Sequence, residues 1–294
     1  MTAPLYGTAT GARLTSSALV RRVIRASLCG VCAAVLTPLD QSLRPDAPRA
    51  IPYYRELLDS GCEALNIPGT TGEAMSIATQ DRIAYMQAIS LALPTERLMV
   101  GTGAAALAEA IALAKAAFAC GFGAALVMPP FYYKDVSERG IVDYFARLID
   151  AVRPPPASLL LYHFPALSFV PFSDSLVGAL LSRFPDTIAG MKDSANDLAL
   201  DRRLSVHTDF ALYPGSEKYL LDAREAGFAG IISGTVALWP QLAARVWEDG
   251  DADEARRLSL LRRGPMGRPL VSAVRKRVAE ERKDVAWLRS IPPL

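Results

Sequence analysis

From residue 29 onward, short and continuously apolar runs alternate with longer stretches of helical spacing. The runs are CGVCAAVL (29–36), CEALNIP (62–68), RLMVGTG (97–103), GAALVMP (123–129), ASLLLYH (157–163), TIAGMK (187–192), DFALYPG (209–215) and GFAGIIS (227–233). Strands with one wet face alternate apolar and polar residues; strands apolar throughout belong to parallel sheets covered on both faces. Such strands with helices between them predict repeated βαβ crossovers, and eight units within roughly 250 residues fit a closed barrel. The expected class is therefore α/β, a (β/α)8 TIM barrel. A doubly wound open sheet more often has five or six strands and a second domain. No Gly-x-Gly-x-x-Gly loop follows the first run, as a dinucleotide fold would require.

Between the runs, residues 102–120 predict a helix whose alanines, Leu107, Ile111 and Phe118 pack on the sheet, with Thr102 as its N-cap. Pro154-Pro155-Pro156 marks a rigid turn into the fifth strand. After residue 236 the pattern is purely helical. Its charged runs, Arg275-Lys276-Arg277 and Glu280-Glu281-Arg282-Lys283, read as solvated helix faces. This C-terminal helical extension, about 236–294, belongs with the barrel in one domain spanning 29–294. Residues 1–28 read as an N-terminal tail: Arg13, Arg21, Arg22 and Arg25 stand there without an acidic residue, and the apolar stretches between them are too short for a signal-peptide core.

Composition narrows the partners. A chain of 294 residues that is 51% hydrophobic can bury a large core. Its 32 basic and 30 acidic residues leave a formal charge of +2, too near neutrality for a nucleic-acid or membrane-surface partner. No apolar run approaches the roughly 20 residues that span a bilayer. The expectation is a cytoplasmic protein with a small-molecule substrate. Cys29, Cys32, Cys62 and Cys120 lack the spacing of a disulfide framework. Cys29-x-x-Cys32 could mark a redox pair, but residues three apart on an extended chain face opposite sides.

In a barrel of this kind, chemistry gathers where the strands end. Lys192 is one of six lysines and alone closes an otherwise apolar strand, Ile188-Ala189-Gly190-Met191. An ammonium drawn toward a dry interior loses hydration, which favours the neutral, nucleophilic amine. Such an amine condenses with a ketone to a protonated imine, an electron sink for the carbanion left when an adjacent bond breaks. The structural alternative is an ion pair between Lys192 and Asp193. Tyr162 ends the preceding strand, thirty residues earlier, so both side chains would emerge on one rim. Its phenol can relay protons to the imine; its plain reading is an aromatic cap on the barrel mouth. Gly69-Thr70-Thr71-Gly72 forms a turn whose amides can converge on a carboxylate, with Thr70 placed to connect to Tyr162.

These pieces resemble the dihydrodipicolinate synthase and N-acetylneuraminate lyase superfamily of pyruvate-dependent class I aldolases. The matching segments are Gly30–Pro38, Gly69-Thr70-Thr71-Gly72-Glu73, Pro130-Phe131-Tyr132-Tyr133, Tyr162-His163-Phe164-Pro165, Gly190-Met191-Lys192-Asp193-Ser194 and Ile232-Ser233-Gly234-Thr235. The resemblance implies that Lys192 forms the imine, that Tyr162 is the general acid/base, and that Thr70 links it into a relay. Thr71 and Gly72 would hold the pyruvate carboxylate. Tyr133 looks like the tyrosine that reaches into a neighbouring subunit, and the family's usual state implies a homotetramer built as a dimer of dimers. Ser168, Ser194, Ser216, Glu217, Ile232 and Ser233 are expected around the second substrate, the serines and Glu217 as hydroxyl-binding groups.

Departures from the family pattern bear on the substrate. Dihydrodipicolinate synthases carry an arginine shortly after the strand-five tyrosine; this chain reads Ala166-Leu167-Ser168-Phe169, similar to sialic acid lyases. Lys192-Asp193-Ser194 is more similar to ketodeoxy sugar acid and hydroxyoxoglutarate aldolases. The expected substrates are pyruvate and a polyhydroxylated aldehyde, joined in a 2-keto-3-deoxy acid, with condensation on aspartate semialdehyde as the alternative. His163 stands where the family more usually has asparagine, either as a packed residue or as a rim hydrogen-bonding group. The reaction needs no cofactor. A metal-dependent aldolase would need a histidine and carboxylate cluster, and the chain has only His163 and His207. A non-catalytic ketoacid-binding barrel is the alternative of another class.

Overall fold

A computed structural model describes residues 28–207, 209–264 and 269–294. The N-terminal tail reading, apart from Leu28, falls outside them. Eight parallel strands form one sheet: β1 (Gly30–Ala34), β2 (Ala64–Asn66), β3 (Leu98–Gly101), β4 (Ala124–Val127), β5 (Leu159–His163), β6 (Ile188–Asp193), β7 (Ala211–Pro214) and β8 (Gly230–Ser233). Each lies in one of the eight apolar runs and is a little shorter, except that β6 extends one residue further, through Asp193. β1 pairs with both β2 and β8, so the strand order wraps around. At the seam the Ala229 amide donates to the Leu212 carbonyl at 3.0 Å, an ordinary hydrogen-bond length. The result is a TIM barrel.

The strands are apolar throughout because they carry two cores. Val31, Ala33, Leu65, Val100, Leu161 and Met191 face the helices. Cys32, Met99, Leu126, Leu160, Tyr213 and Ile232 fill the interior. Gly190 is required by close approach, since a Cβ there would lie 2.0 Å from the Ala211 carbonyl oxygen on β7. Cys32 points inward, and burial holds its thiol well above the usual range. Cys32, Cys62 and Cys120 are free thiols.

The covering helices are α1 (Ala47–Asp59), α2 (Thr79–Ser90), α3 (Leu107–Ala119), α4 (Glu138–Val152), the short α5 (Pro165–Ser168), α6 (Asp174–Arg183), α7 (Leu198–Leu204) and α8 (Leu220–Glu225). α4 shows the local logic. The Ser137 hydroxyl caps it by accepting the Gly140 amide at 3.1 Å, and Ile141, Tyr144, Phe145, Leu148 and Ile149 are buried at helical spacing. Each such side chain contributes about 1.5–3 kcal/mol on burial. The expected cap on α3 is corrected. That helix begins at Leu107, after Ala106, with no side-chain cap. Thr102 stays with the sheet, its amide donating to Leu126 O at 2.9 Å. Past β8 follow α9 (Pro240–Asp249), α10 (Ala252–Arg263) and α11 (Leu270–Arg282), the expected helical extension. Among the described residues, no helix is long and apolar enough to cross a membrane.

Candidate active site

Tyr162 and Lys192 are directly opposed across the β5–β6 ladder, and His163 and Asp193 are opposed one step further. Alternation along a strand sends the first pair inward, with Leu160 and Tyr213, and the second pair outward, with Leu161 and Met191. Lys192 is 5% exposed and Tyr162 6%. The Lys192 ammonium lies 4.7 Å from the centre of the Tyr162 ring. Among the described residues no carboxylate comes within ion-pair distance of it, so the pairing with Asp193 read as an alternative is not formed. Asp193 faces the other side of the sheet, 3.2 Å from His163 Nδ1, and accepts the amides of Ala195 at 2.8 Å and Asp197 at 2.6 Å.

The turn after β2 comes to the same place. Thr70 Oγ1 lies 3.1 Å from the Tyr162 hydroxyl, linking residues 92 apart in sequence. The turn is closed by amides of Gly72, Glu73 and Ala74, donating to the carbonyls of Gly69, Thr70 and Gly69 respectively. Gly72 seats it on the segment just past β1: a Cβ would sit 2.6 Å from Thr37 Oγ1 and 3.0 Å from Val35 O. Thr71 is buried with its hydroxyl against Gly234, just past β8. Thr70, Tyr162 and Lys192 thus form one chain of functional groups at the barrel mouth, with Thr71 on its β8 side.

The expected hydroxyl-binding residues divide. Ser168 is fully buried; its hydroxyl donates to Phe164 O at 3.1 Å and accepts the Val170 amide at 3.2 Å, which holds α5 in place. Ser216 accepts the Lys218 amide at 3.3 Å. Ser233 and Thr235 both donate to the buried Glu217, whose carboxylate also lies 3.3 Å from Arg262 Nε. Ile232 is packed in the barrel interior. Ser194 is half-buried and its amide donates to His163 O at 2.8 Å. Tyr133 is 75% exposed and stacks edge-on against Tyr132, 5.3 Å between centroids.

Arg262 and Asp201 had no part in the sequence reading, and the solvated helix face expected at Arg275 is corrected, since that side chain is buried. Arg275, on α11, donates through Nε to Glu73 at 2.7 Å and through Nη2 to Thr37 O at 2.9 Å. The Ile291 amide donates to the other Glu73 oxygen at 2.8 Å. Arg262 joins Glu217 from α10. Asp201, on α7, is fully buried, and neither of its oxygens has a hydrogen-bond partner among the described residues. Burial first, then the neighbouring carboxylates of Asp193 and Asp197, push its carboxyl up to about 8.

A folded value above the unfolded one means that Asp201 favours folding most fully below about 4, the ordinary carboxylate range. That contribution falls as pH rises toward about 8. Asp201→Asn, which cannot ionise, is expected to gain on the order of a few kcal/mol over the native protein at pH 9 and nothing at pH 4. Urea midpoints measured across that range should diverge with rising pH; parallel curves would refute the assignment.

The sequence profile of the dihydrodipicolinate synthetase family matches residues 27–263. An uncharacterized DapA-like lyase of Chloroflexus aurantiacus is 35% identical over 240 residues, 79% of this chain and 80% of the relative. A 4-hydroxy-tetrahydrodipicolinate synthase of Mycolicibacterium paratuberculosis is 30% identical over 238 residues, 80% of this chain and 77% of the relative. The crystal structure of dihydrodipicolinate synthase from Agrobacterium tumefaciens superposes with a TM-score of 0.83 at 28% identity, covering 90% of this chain and 92% of that one. With a lysine, a tyrosine and a threonine meeting at the barrel mouth, this chain belongs to the dihydrodipicolinate synthetase family and is a carbon–carbon lyase.

Proposed function

We propose that the protein is a Schiff-base aldolase that cleaves or forms the carbon–carbon bond of a 4-hydroxy-2-oxo acid, with pyruvate as one product or substrate. The observation that carries this reading is the alignment of an amine, a phenol and a hydroxyl: Lys192 beside the Tyr162 ring at 4.7 Å, and the Tyr162 hydroxyl 3.1 Å from Thr70. In the condensing direction, Lys192 Nζ attacks C2 of pyruvate, and the carbinolamine loses water to give an iminium. The Tyr162 phenolate, left when Tyr162 protonates the departing hydroxyl of the carbinolamine, takes a proton from C3 to give an enamine, whose carbon attacks the aldehyde carbon. Tyr162, oriented by Thr70, donates a proton to the alkoxide that forms and is restored when water hydrolyses the product imine. Thr71 and the turn around Gly72 are the elements that would orient the pyruvate carboxylate.

For the second substrate we favour an uncharged aldehyde, which makes the cleaved compound a 2-keto-3-deoxy acid of the sugar acid type. Leu167, on α5 after Tyr162, lines a cavity with Thr70, Met75, Met128, Phe131 and Leu294 that, among the described residues, offers no cation to a second carboxylate. Thr70 and Ser76 are hydroxyl-bearing groups of that cavity, whereas Ser168, Ser216 and Ser233 bond to protein. The exposed pair Tyr132 and Tyr133 suits a contact between copies, consistent with a homotetramer; sedimentation should give four times the 31.6 kDa chain mass. Reduced thiols suit a cytoplasmic location, which cell fractionation would test.

Incubation with pyruvate and borohydride is expected to add one reduced pyruvyl group, mapped by peptide mass to Lys192. A ketoacid-binding barrel without catalysis would take up none. Pyruvate release from 2-keto-3-deoxy acids, set beside condensation with aspartate semialdehyde, then decides the substrate; turnover of the semialdehyde alone would favour the synthase reading.

A further inference from the structure

Glu217 is a buried carboxylate, 2% exposed, that the chemistry above does not use. It opens a single turn, Glu217–Tyr219, just past β7. Ser233 ends β8 and Thr235 opens the turn that follows; the hydroxyls of both donate to Glu217, one to each oxygen. Arg262, reaching in from α10, donates through Nε to Thr235 Oγ1 at 3.3 Å and stands 3.3 Å from Glu217 Oε1. Contacts on either side carry this cluster to the site. Toward β6, the Gly215 amide donates at 2.6 Å to the carbonyl of Asp193, the residue after Lys192. Toward β2, Gly234 lies between the two donors and backs Thr71 directly, since a Cβ there would sit 2.7 Å from Thr71 Oγ1 and 3.2 Å from its Cγ2.

We propose that Glu217 is a positioning residue for pyruvate: by gripping the turn after β8 from the turn after β7, it fixes how far Thr71 stands from Lys192. The inference rests on the aldolase reading, in which one small molecule must set its ketone carbon on Lys192 and its carboxylate beside Thr71. The strand order makes this tie necessary. Pairing runs from β7 the long way round to β8, and the Ala229–Leu212 bond joins those two strands just before β8 begins. At the mouth the join is made by side chains, Glu217 on one turn and Ser233 with Thr235 on the other. A carboxylate suits the place because it brings two acceptor oxygens to two hydroxyls, and a buried network with every member bonded has one favoured geometry. Through Asp193 and Gly215 on one side and Gly234 on the other, that geometry sets the span the ketoacid must bridge.

Borohydride trapping with pyruvate reads this span without any aldehyde. Glu217→Gln keeps the length of the side chain but offers one acceptor oxygen to the two hydroxyls. We expect the pyruvate concentration that half-saturates labelling of Lys192 to rise about tenfold, with the plateau within about twofold of the native protein. A carboxylate that served only stability would lower the plateau as folded protein is lost and leave half-saturation in place. One that recognised the aldehyde would leave both unchanged. Either result would overturn the proposal. Should Glu217→Gln fail to fold, Thr235→Val removes one donor at nearly constant shape and should raise half-saturation about threefold; an unchanged value there would overturn it equally. A native protein that takes no label would sink the aldolase reading itself, and this inference with it.

Discussion

Lys192→Met is expected to lower turnover by on the order of 10⁴-fold or more and to abolish borohydride labelling, while leaving the fold intact. Methionine matches the aliphatic stem of lysine in length, so the interior beside Tyr162 and Tyr213 stays filled. What disappears is the amine that, on the proposed reading, holds pyruvate covalently as an electron sink. The loss cannot be spread over neighbours: without the iminium, the carbanion at C3 has nothing nearby to delocalise into. Tyr162→Phe serves as the contrast. It should keep the label on Lys192 and lose about 10²- to 10⁴-fold in rate, the usual worth of a positioned general acid or base. Steady-state assays with labelling on both variants give the outcome, and a Lys192→Met enzyme that still turns over at a tenth of the native rate would end the Schiff-base account.

Arg275→Met is the second large effect, and it is expected to appear first in stability. Arg275 is 1% exposed and Glu73 3%, so their ion pair is buried from both sides. Removing one partner of such a pair leaves an uncompensated charge in the interior, at a cost of about 3–5 kcal/mol. Glu73 is also a non-glycine residue in the left-handed region, at φ 57°, a conformation disfavoured by about 1–2 kcal/mol and held here by the bonds from Arg275 and Ile291. Because Glu73 closes the turn that begins at Gly69, loosening it should displace Thr70 and Thr71 and raise the pyruvate KM. The double variant Glu73→Gln with Arg275→Met removes both charges and should recover most of the lost stability. Denaturant midpoints for the four proteins of the cycle measure this directly. Strictly additive losses would show that the two residues do not act as a pair.

The barrel was legible in the chain because its signal is local and repeated. Eight apolar runs, each of strand length and separated by helical stretches, leave few other ways to bury both faces of a sheet. Lys192, Tyr162 and Thr70 were legible for a related reason: each ends a run that should stay apolar, so a polar group there marks the barrel mouth. Thr102 shows the limit of such reading. A threonine ahead of an alanine-rich stretch suits a cap, yet the ladder to Leu126 held it in the sheet.

The buried charges were decided by tertiary structure. Arg275 sits between Val274 and Val278, and Asp201 between Leu200 and Leu204, on helix faces that are apolar apart from them. That much is visible in sequence as a charge on a buried stripe. The partner of such a charge is not, because Glu73 lies 202 residues from Arg275 and only the closing of the barrel under its C-terminal helices brings them together. The same holds for the serines. Their places near the strand ends offered Ser168, Ser216 and Ser233 as open hydroxyls, but a hydroxyl bonds to whatever the fold places within about 3 Å, and here that was a carbonyl, an amide and Glu217. Period and polarity along the chain thus determined the architecture and marked Lys192, Tyr162 and Thr70 at its mouth, since both are properties of single segments; which polar groups remain free for a substrate depends on distances between segments, and the packed fold alone sets those.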